Sequence, residues 1–264
     1  VLLFLAGRAD LWAALVLPVG SLWSPLWLNL AVLAVWEGLA AWRGVARPDY
    51  APRCVAVLTA IAATAFALAW VVSAGFTALL LLYTVVTLAY SMRLKRIPLI
   101  DVLVLSALYT LRIGAGAVAA VVDLSNWLLA ISIFLFLSLA LVKRCAELEE
   151  LVDEDATLAP GRGYRANDLA SLRAMGMSSG FMAVLVLALY IDSQNSRALY
   201  AHPDWLWAAA PVLLLWIMRI WLKTGRRELV GEDPLQFALR DPFSWGTVAV
   251  MGAIGVVATV GVGA

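Results

Sequence analysis

Lys143, Arg144, Glu147 and Glu150 close one long apolar stretch, and Asp101 and Arg112 lie inside another. Charged groups therefore stand where lipid-facing side chains are expected. Lys143, Glu147 and Glu150 are spaced by four and then three residues, which sets them on one helical face. Two carboxylates so placed suit magnesium, which takes one or two carboxylates together with phosphate oxygens and water. Lys143 and Arg144 beside them would repel a bare ion and favour a metal–phosphate complex. Asp101 and Arg112 are eleven residues apart, close to three turns, so they share a stripe and stand roughly 16 Å apart along the axis. An arginine inside a span costs about 2.5–3.5 kcal/mol and faces a cavity or a partner. Arg112 thus has two readings: an interhelical partner for a carboxylate or carbonyls, or a fork that grips a phosphate. Asp101 also has two, because Pro98 places it near the third helical position, where a carboxylate caps the helix and complements its dipole.

The elements that must carry these residues are membrane spans. Of the 264 residues, 64% are hydrophobic and 14% charged, and the mean hydropathy is +0.91. These values exclude an ordinary soluble domain and predict an all-α, polytopic membrane bundle. Nine apolar runs are long enough to cross a bilayer, near 1–19, 25–42, 54–72, 74–91, 99–121, 125–143, 176–192, 205–222 and 243–262. The connections near 20–24, 72–75 and 122–125 carry no Lys or Arg, and 193–204 carries only Arg197. The other four hold Arg43, Arg47 and Arg53, then Arg93, Lys95 and Arg96, then Lys143 through Arg173, then Lys223 through Arg240. Basic loops stay in the cytoplasm, so this alternation predicts an inner N-terminus and an outer C-terminus. A net charge of +1 carries little information here, since distribution matters more than the sum.

Residues 144–174 and 223–242 read as long polar connections on the cytoplasmic side. The first holds an acidic cluster from Glu147 to Asp155, followed by Arg162 and Arg165 around Gly161 and Gly163. It reads either as a solvated linker or as a flap over a pocket within the bundle. Trp23, Trp27, Trp42, Trp127, Trp205, Trp207, Trp221 and Trp245 gather near span ends, as an interfacial belt requires. Cys54 and Cys145 lie far apart without a CxxC pairing and read as plain thiols. His202, beside Pro203 in an outward connection, receives no role. The sequence opens at Val1 almost inside an apolar run, and no cleavable leader with a basic start is read there.

From about Phe76 to Trp245 the sequence resembles the UbiA superfamily of intramembrane prenyltransferases, closest to the branch that includes decaprenyl-phosphate phosphoribosyltransferase. The matching residues are Tyr90-Ser91 with Leu94-Lys95-Arg96, and Pro98-Leu99-Ile100-Asp101-Val102. They continue with Tyr109, Leu111-Arg112, Ala115-Gly116, and Lys143-Arg144 followed by Ala146-Glu147-Leu148 and Glu150. Arg162-Gly163-Tyr164, Trp216 with Arg219, Asp233-Pro234 and Phe237-Ala238 complete the set. The resemblance implies one UbiA-like domain over 1–264, with 1–70 matching weakly. It implies a nine-helix bundle in a bacterial inner membrane, with a cavity opening to the cytoplasm and sideways to lipid. It also implies a magnesium-bound diphosphate as donor and a polyprenyl lipid as donor or acceptor, with no nucleic acid involved. On this resemblance Arg112, Lys143 and Glu147 are the expected catalytic residues, and Glu147 with Glu150 stands at the second acidic motif. Tyr90 and Lys95 are expected on phosphate, with Arg96, Asp101, Arg144, Arg162, Tyr164, Arg165 and Arg219 completing the substrate side.

One part of the family pattern is missing. The first acidic motif, N-D-x-x-D-x-x-x-D, belongs at the end of the second span, where only Glu37 and Asp49 are acidic. Neither spacing recreates a metal-binding cluster. The expected function is therefore a UbiA-type transferase acting on a polyprenyl phosphate or diphosphate, with phosphoribosyl transfer to a polyprenyl phosphate as the alternative. A non-catalytic lipid-binding protein or a transporter on the same scaffold stands as a third reading. No convincing internal repeat of the kind many transporters show is found between the halves.

Overall fold

A computed structural model of the chain describes residues 51–153, 163–229 and 234–260. Nine α-helices follow one another among them. They are α1 (Ala51–Val72), α2 (Ala74–Met92), α3 (Ile100–Ala119), α4 (Asn126–Asp153), α5 (Leu169–Asp192), α6 (Gln194–Leu199), α7 (Ala209–Gly225), α8 (Pro234–Arg240) and α9 (Pro242–Val260). Short 3-10 turns at Leu94–Arg96, Ala166–Asp168 and Pro203–Ala208 lead into α3, α5 and α7. Among the described residues, six helical segments are long and apolar enough to cross a bilayer. Large apolar side chains such as Leu185, Leu189, Leu215, Met218 and Leu222 are exposed on them. In water such surfaces are a liability, whereas hydrocarbon is their proper solvent. The chain is a multi-pass, all-helical integral membrane protein. The expected spans near 1–19 and 25–42 lie outside the described residues, as do Glu37, Asp49 and Arg162.

The chain divides into two compact units. Among the described residues, the larger contains 93–110, 125–153, 163–229 and 234–260, and the smaller contains 51–92 and 111–124. In the smaller unit α1 packs on α2. In the larger, α4 and α5 make the main contact, with α7 and α9 packed beside them. Lipid offers no hydrophobic drive for helix pairing, so close approach and interhelical hydrogen bonds must hold this group together. Gly176 on α5 supplies the approach: a Cβ there would lie 2.2 Å from the Trp221 ring. Ser138 on α4 donates to the Gly176 carbonyl at 2.7 Å and accepts the Trp221 indole N–H at 3.0 Å. Ser179 donates to the Phe134 carbonyl at 2.7 Å, a second stitch between α4 and α5.

The helices outrun the spans expected from hydropathy. The stretch 144–153, read above as the start of a polar connection, continues α4 without a break. Likewise α5 begins at Leu169 and α7 runs to Gly225, so both expected loops are shorter than the sequence suggested. The reason lies in the side chains. Cys145, Ala146 and Leu148 are buried and keep the packed stripe of α4 going, while Ala, Glu and Leu are strong helix formers. At 28 residues, α4 is about 42 Å long, more than the roughly 30 Å of a hydrocarbon core. Its charged end therefore projects beyond what lipid requires.

Candidate functional site

The charged end of α4 meets the start of α3 within the larger unit. Pro98 and Leu99 turn the chain into α3, with Leu99 in the left-handed region at φ 66°. That conformation costs a non-glycine residue roughly 1–2 kcal/mol and persists only when the surroundings enforce it. Enforcement comes from Tyr164, whose hydroxyl accepts the Leu99 N–H at 2.7 Å. The same hydroxyl donates to Asp101 Oδ1. Asp101 Oδ1 also accepts the Val102 N–H at 2.7 Å, while Oδ2 lies 3.1 Å from Arg144 Nε. Arg144 then reaches Glu147, one turn along α4, through its Nη1. Asp101 is fully buried, Arg144 and Tyr164 are each 2% exposed, and the Glu147 side chain is 34% exposed. A chain of polar contacts thus runs from a sealed interior to one accessible carboxylate. Burial, followed by the hydrogen bond to Asp101, pushes the Tyr164 phenol well above its ordinary range, so it stays a donor.

On the other flank of α4, buried Glu149 pairs with Arg173 of α5. Ion pairs on two sides fix the orientation of this helix end. Lys143 is half-buried and Glu150 is exposed. Glu147 and Glu150 sit three residues apart within α4, as the spacing predicts. No group of three or more His, Cys, Asp or Glu side chains able to hold a metal occurs among the described residues. Two carboxylates on one turn match the modest share that a phosphate-bound magnesium asks of a protein, with phosphate and water filling the rest.

The remaining expected residues are distributed elsewhere. Lys95 and Arg96 form the 3-10 turn before α3 in the larger unit, Lys95 half-buried and Arg96 exposed. Gly163 packs beneath that turn: a Cβ there would lie 2.7 Å from the Pro98 ring and 2.9 Å from the Arg96 carbonyl. Arg165 is exposed, and its N–H donates to Asp168 at 2.9 Å at the entry to α5. Tyr90 and Arg112 belong to the smaller unit, where Arg112 Nε donates to the Tyr83 hydroxyl at 3.1 Å. Its guanidinium also lies over the Tyr83 ring, 5.2 Å from the centroid. Tyr83 was not singled out by sequence reasoning, and a tyrosine mid-span is the one signal it offers.

Arg219 has a different setting. Its two terminal nitrogens reach Asp241 at 2.5 and 2.9 Å. Asp241 Oδ2 accepts both the N–H and the hydroxyl of Ser244 at 2.9 Å, at the first turn of α9. Trp216 donates to the Ser244 hydroxyl at 3.0 Å, and the Arg219 guanidinium lies 4.5 Å over the Phe243 ring. Hydrogen bonding from Arg219, helped by Ser244, holds the Asp241 carboxyl below the ordinary aspartate range. Asp241 was also missed; its signal is an Asp-Pro pair just before an apolar run.

Fold and site together define a polytopic helical membrane protein that keeps a cluster of buried and half-buried charges at one helix end. Known proteins make the class narrower. A decaprenyl-phosphate phosphoribosyltransferase of Mycolicibacterium smegmatis is 33% identical over 195 residues, covering 74% of this chain and 61% of that protein. The nodulation protein NoeC of Azorhizobium caulinodans is 34% identical over 180 residues, 66% of this chain and 56% of NoeC. An uncharacterized protein, y4nM, of Sinorhizobium fredii is 39% identical over 164 residues, 62% of this chain and 32% of its own length. No family model matches the sequence. The chain thus spans between about a third and three fifths of the length of these relatives. These similarities support a relationship to the UbiA superfamily of membrane prenyltransferases, and the mycobacterial relatives carry a transferase name.

Proposed function

We propose that the protein is a membrane transferase whose lipid substrate is a polyprenyl phosphate and whose second substrate is a phosphoribosyl diphosphate. The observation that carries this reading is the end of α4, where Lys143, Arg144, Glu147, Glu149 and Glu150 gather within eight residues, with Asp101 ion-paired to Arg144. Ionisable groups are expensive at a membrane and mark substrate paths by default. The name carried by the Mycolicibacterium relative favours phosphoribosyl transfer over prenyl transfer.

In this reaction a phosphate oxygen of the lipid attacks the ribosyl C1 as its bond to the diphosphate breaks. The diphosphate departs with the bonding electron pair, and any proton on the lipid phosphate passes to water. Lys143 would neutralise charge on the leaving group, and Glu147 with Glu150 would hold magnesium there. Magnesium supplies charge neutralisation for the departing diphosphate when bound. Lys95 and Arg96, in the same unit as α4, are assigned to phosphate binding on family resemblance. Apolar side chains along the spans exclude water from the ribosyl centre. The basic connections near Arg93–Arg96 and Lys223–Arg240 support a cytoplasmic orientation for the site in a bacterial inner membrane.

The test uses membranes containing the full chain, labelled phosphoribosyl diphosphate and a polyprenyl phosphate. Magnesium-dependent label in the lipid fraction, lost in Glu147→Gln, supports the proposal. Lipid binding without transfer of label would favour a non-catalytic lipid-binding protein instead, and transfer from a polyprenyl diphosphate would favour prenyl chemistry.

A further inference from the structure

Family resemblance places Tyr164 and Arg144 on substrate, yet both side chains are sealed from it. Each is 2% exposed; the Tyr164 hydroxyl is hydrogen-bonded and Arg144 is ion-paired inside the protein. The group at the accessible end of the chain is Glu147. We propose that Tyr164 and Arg144 are positioning residues: Tyr164 holds Asp101, Asp101 holds Arg144, and Arg144 orients the Glu147 carboxylate that would hold the magnesium of a bound diphosphate. The role of Glu147 at the diphosphate rests on the proposed function, whereas the aiming of its side chain does not.

Three features make this arrangement a device for orientation and not simple packing. The Tyr164 hydroxyl serves two masters at once, donating to Asp101 and accepting from the N–H of Leu99 at 2.7 Å. It therefore couples the left-handed backbone at Leu99 to the carboxylate two residues later. Next, Gly163 lies so close to Pro98 and the Arg96 carbonyl that no larger residue fits, which fixes where Tyr164 enters. Finally, a guanidinium is a rigid planar fork, so an ion pair that brings its Nε to 3.1 Å from Asp101 restricts where its other nitrogens can lie. A glutamate gripped by one of those nitrogens loses rotamers that a surface glutamate keeps.

The experiment has two arms, both on purified full chain in detergent or nanodiscs. In the first, carbodiimide labelling at Glu147 is compared with labelling at exposed Glu150 by mass spectrometry, with no ligand present. Tyr164→Phe keeps the ring and removes the hydroxyl, and Asp101→Asn keeps the shape and removes the charge that holds Arg144. Both variants should raise the Glu147 to Glu150 labelling ratio, roughly three- to tenfold for a lost hydrogen bond. An unchanged ratio in both, with thermal unfolding close to that of the parent, overturns the proposal. In the second arm, magnesium pyrophosphate binding is followed by calorimetry. Tyr164→Phe should weaken it by a similar factor, and the Tyr164→Phe, Glu147→Gln double variant should bind no more weakly than Glu147→Gln alone. Additive losses would show that Tyr164 acts without Glu147 and would also overturn it. If the parent protein binds no magnesium pyrophosphate, the proposed function fails, and the labelling arm alone decides the positioning role.

Discussion

Arg144 and Arg219 each meet an aspartate inside the larger unit, and they use it differently. Arg219 closes both nitrogens onto Asp241, whose Oδ2 also takes the N–H and hydroxyl of Ser244. That network is complete, and it ties α7 to the first turn of α9. Arg144 takes Asp101 on one side and Glu147 on the other, so its network includes a carboxylate that is one-third exposed. A fully satisfied polar network rigidifies the fold. The sequence gives both arginines the same standing, as cations near a span end. Only burial distinguishes their partners: Asp241 is enclosed, whereas the Glu147 side chain is one-third exposed.

The sharpest way to break this contrast is to remove Arg144. Asp101, fully buried, would then lose the Arg144 guanidinium, and breaking a buried pair from one side costs about 3–5 kcal/mol. Thermal unfolding of Arg144→Ala in detergent should show a loss of that order, and Arg144→Met combined with Asp101→Asn should recover much of it. Glu147→Gln comes next and should separate activity from stability. Transfer of label should fall about a hundredfold while the unfolding midpoint stays near that of the parent, because the side chain is one-third exposed.

On the closed network the effects are smaller and act on stability. Asp241→Ala removes the cap of α9 and a partly exposed pair, for a loss of about 1–2 kcal/mol in unfolding. Transfer activity should survive it. The pH dependence sharpens the same point. Because the native Asp241 carboxyl titrates below its ordinary value, its contribution is fully present above about pH 4–5. It erodes below the ordinary aspartate value and is lost once pH falls through the lowered native one. The gap in unfolding midpoint between the parent and Asp241→Asn should therefore hold steady from pH 8 to about 5 and shrink in more acid buffer. A gap that widened in acid would contradict the assigned partner.

Much of the architecture was legible because lipid imposes a simple requirement. Runs of about twenty apolar residues must be helices, since no water satisfies their backbone groups. Within the described residues the spans expected from 54 to 262 match α1 to α5, α7 and α9 closely. The misreading at 144–153 has a cause: hydropathy marks where lipid ends, not where a helix ends. The face shared by Lys143, Glu147 and Glu150 was legible from spacing alone, because helical period is local.

Pairing across the chain was not. Asp101 and Arg144 are forty-three residues apart, and Tyr164 is 63 from Asp101, so no periodicity links them. Sequence reasoning left Asp101 between a cap and a site residue, and it put Tyr164 on substrate. Composition and helical period determined that this is a helical membrane protein with charges gathered at the exit of α4. Which of those charges are spent on one another, and which reaches outward, was decided by tertiary packing. Long-range contacts are chosen by how whole helices and turns fit together, and that fit is set by shape and hydrogen-bond geometry that no single stretch of sequence contains.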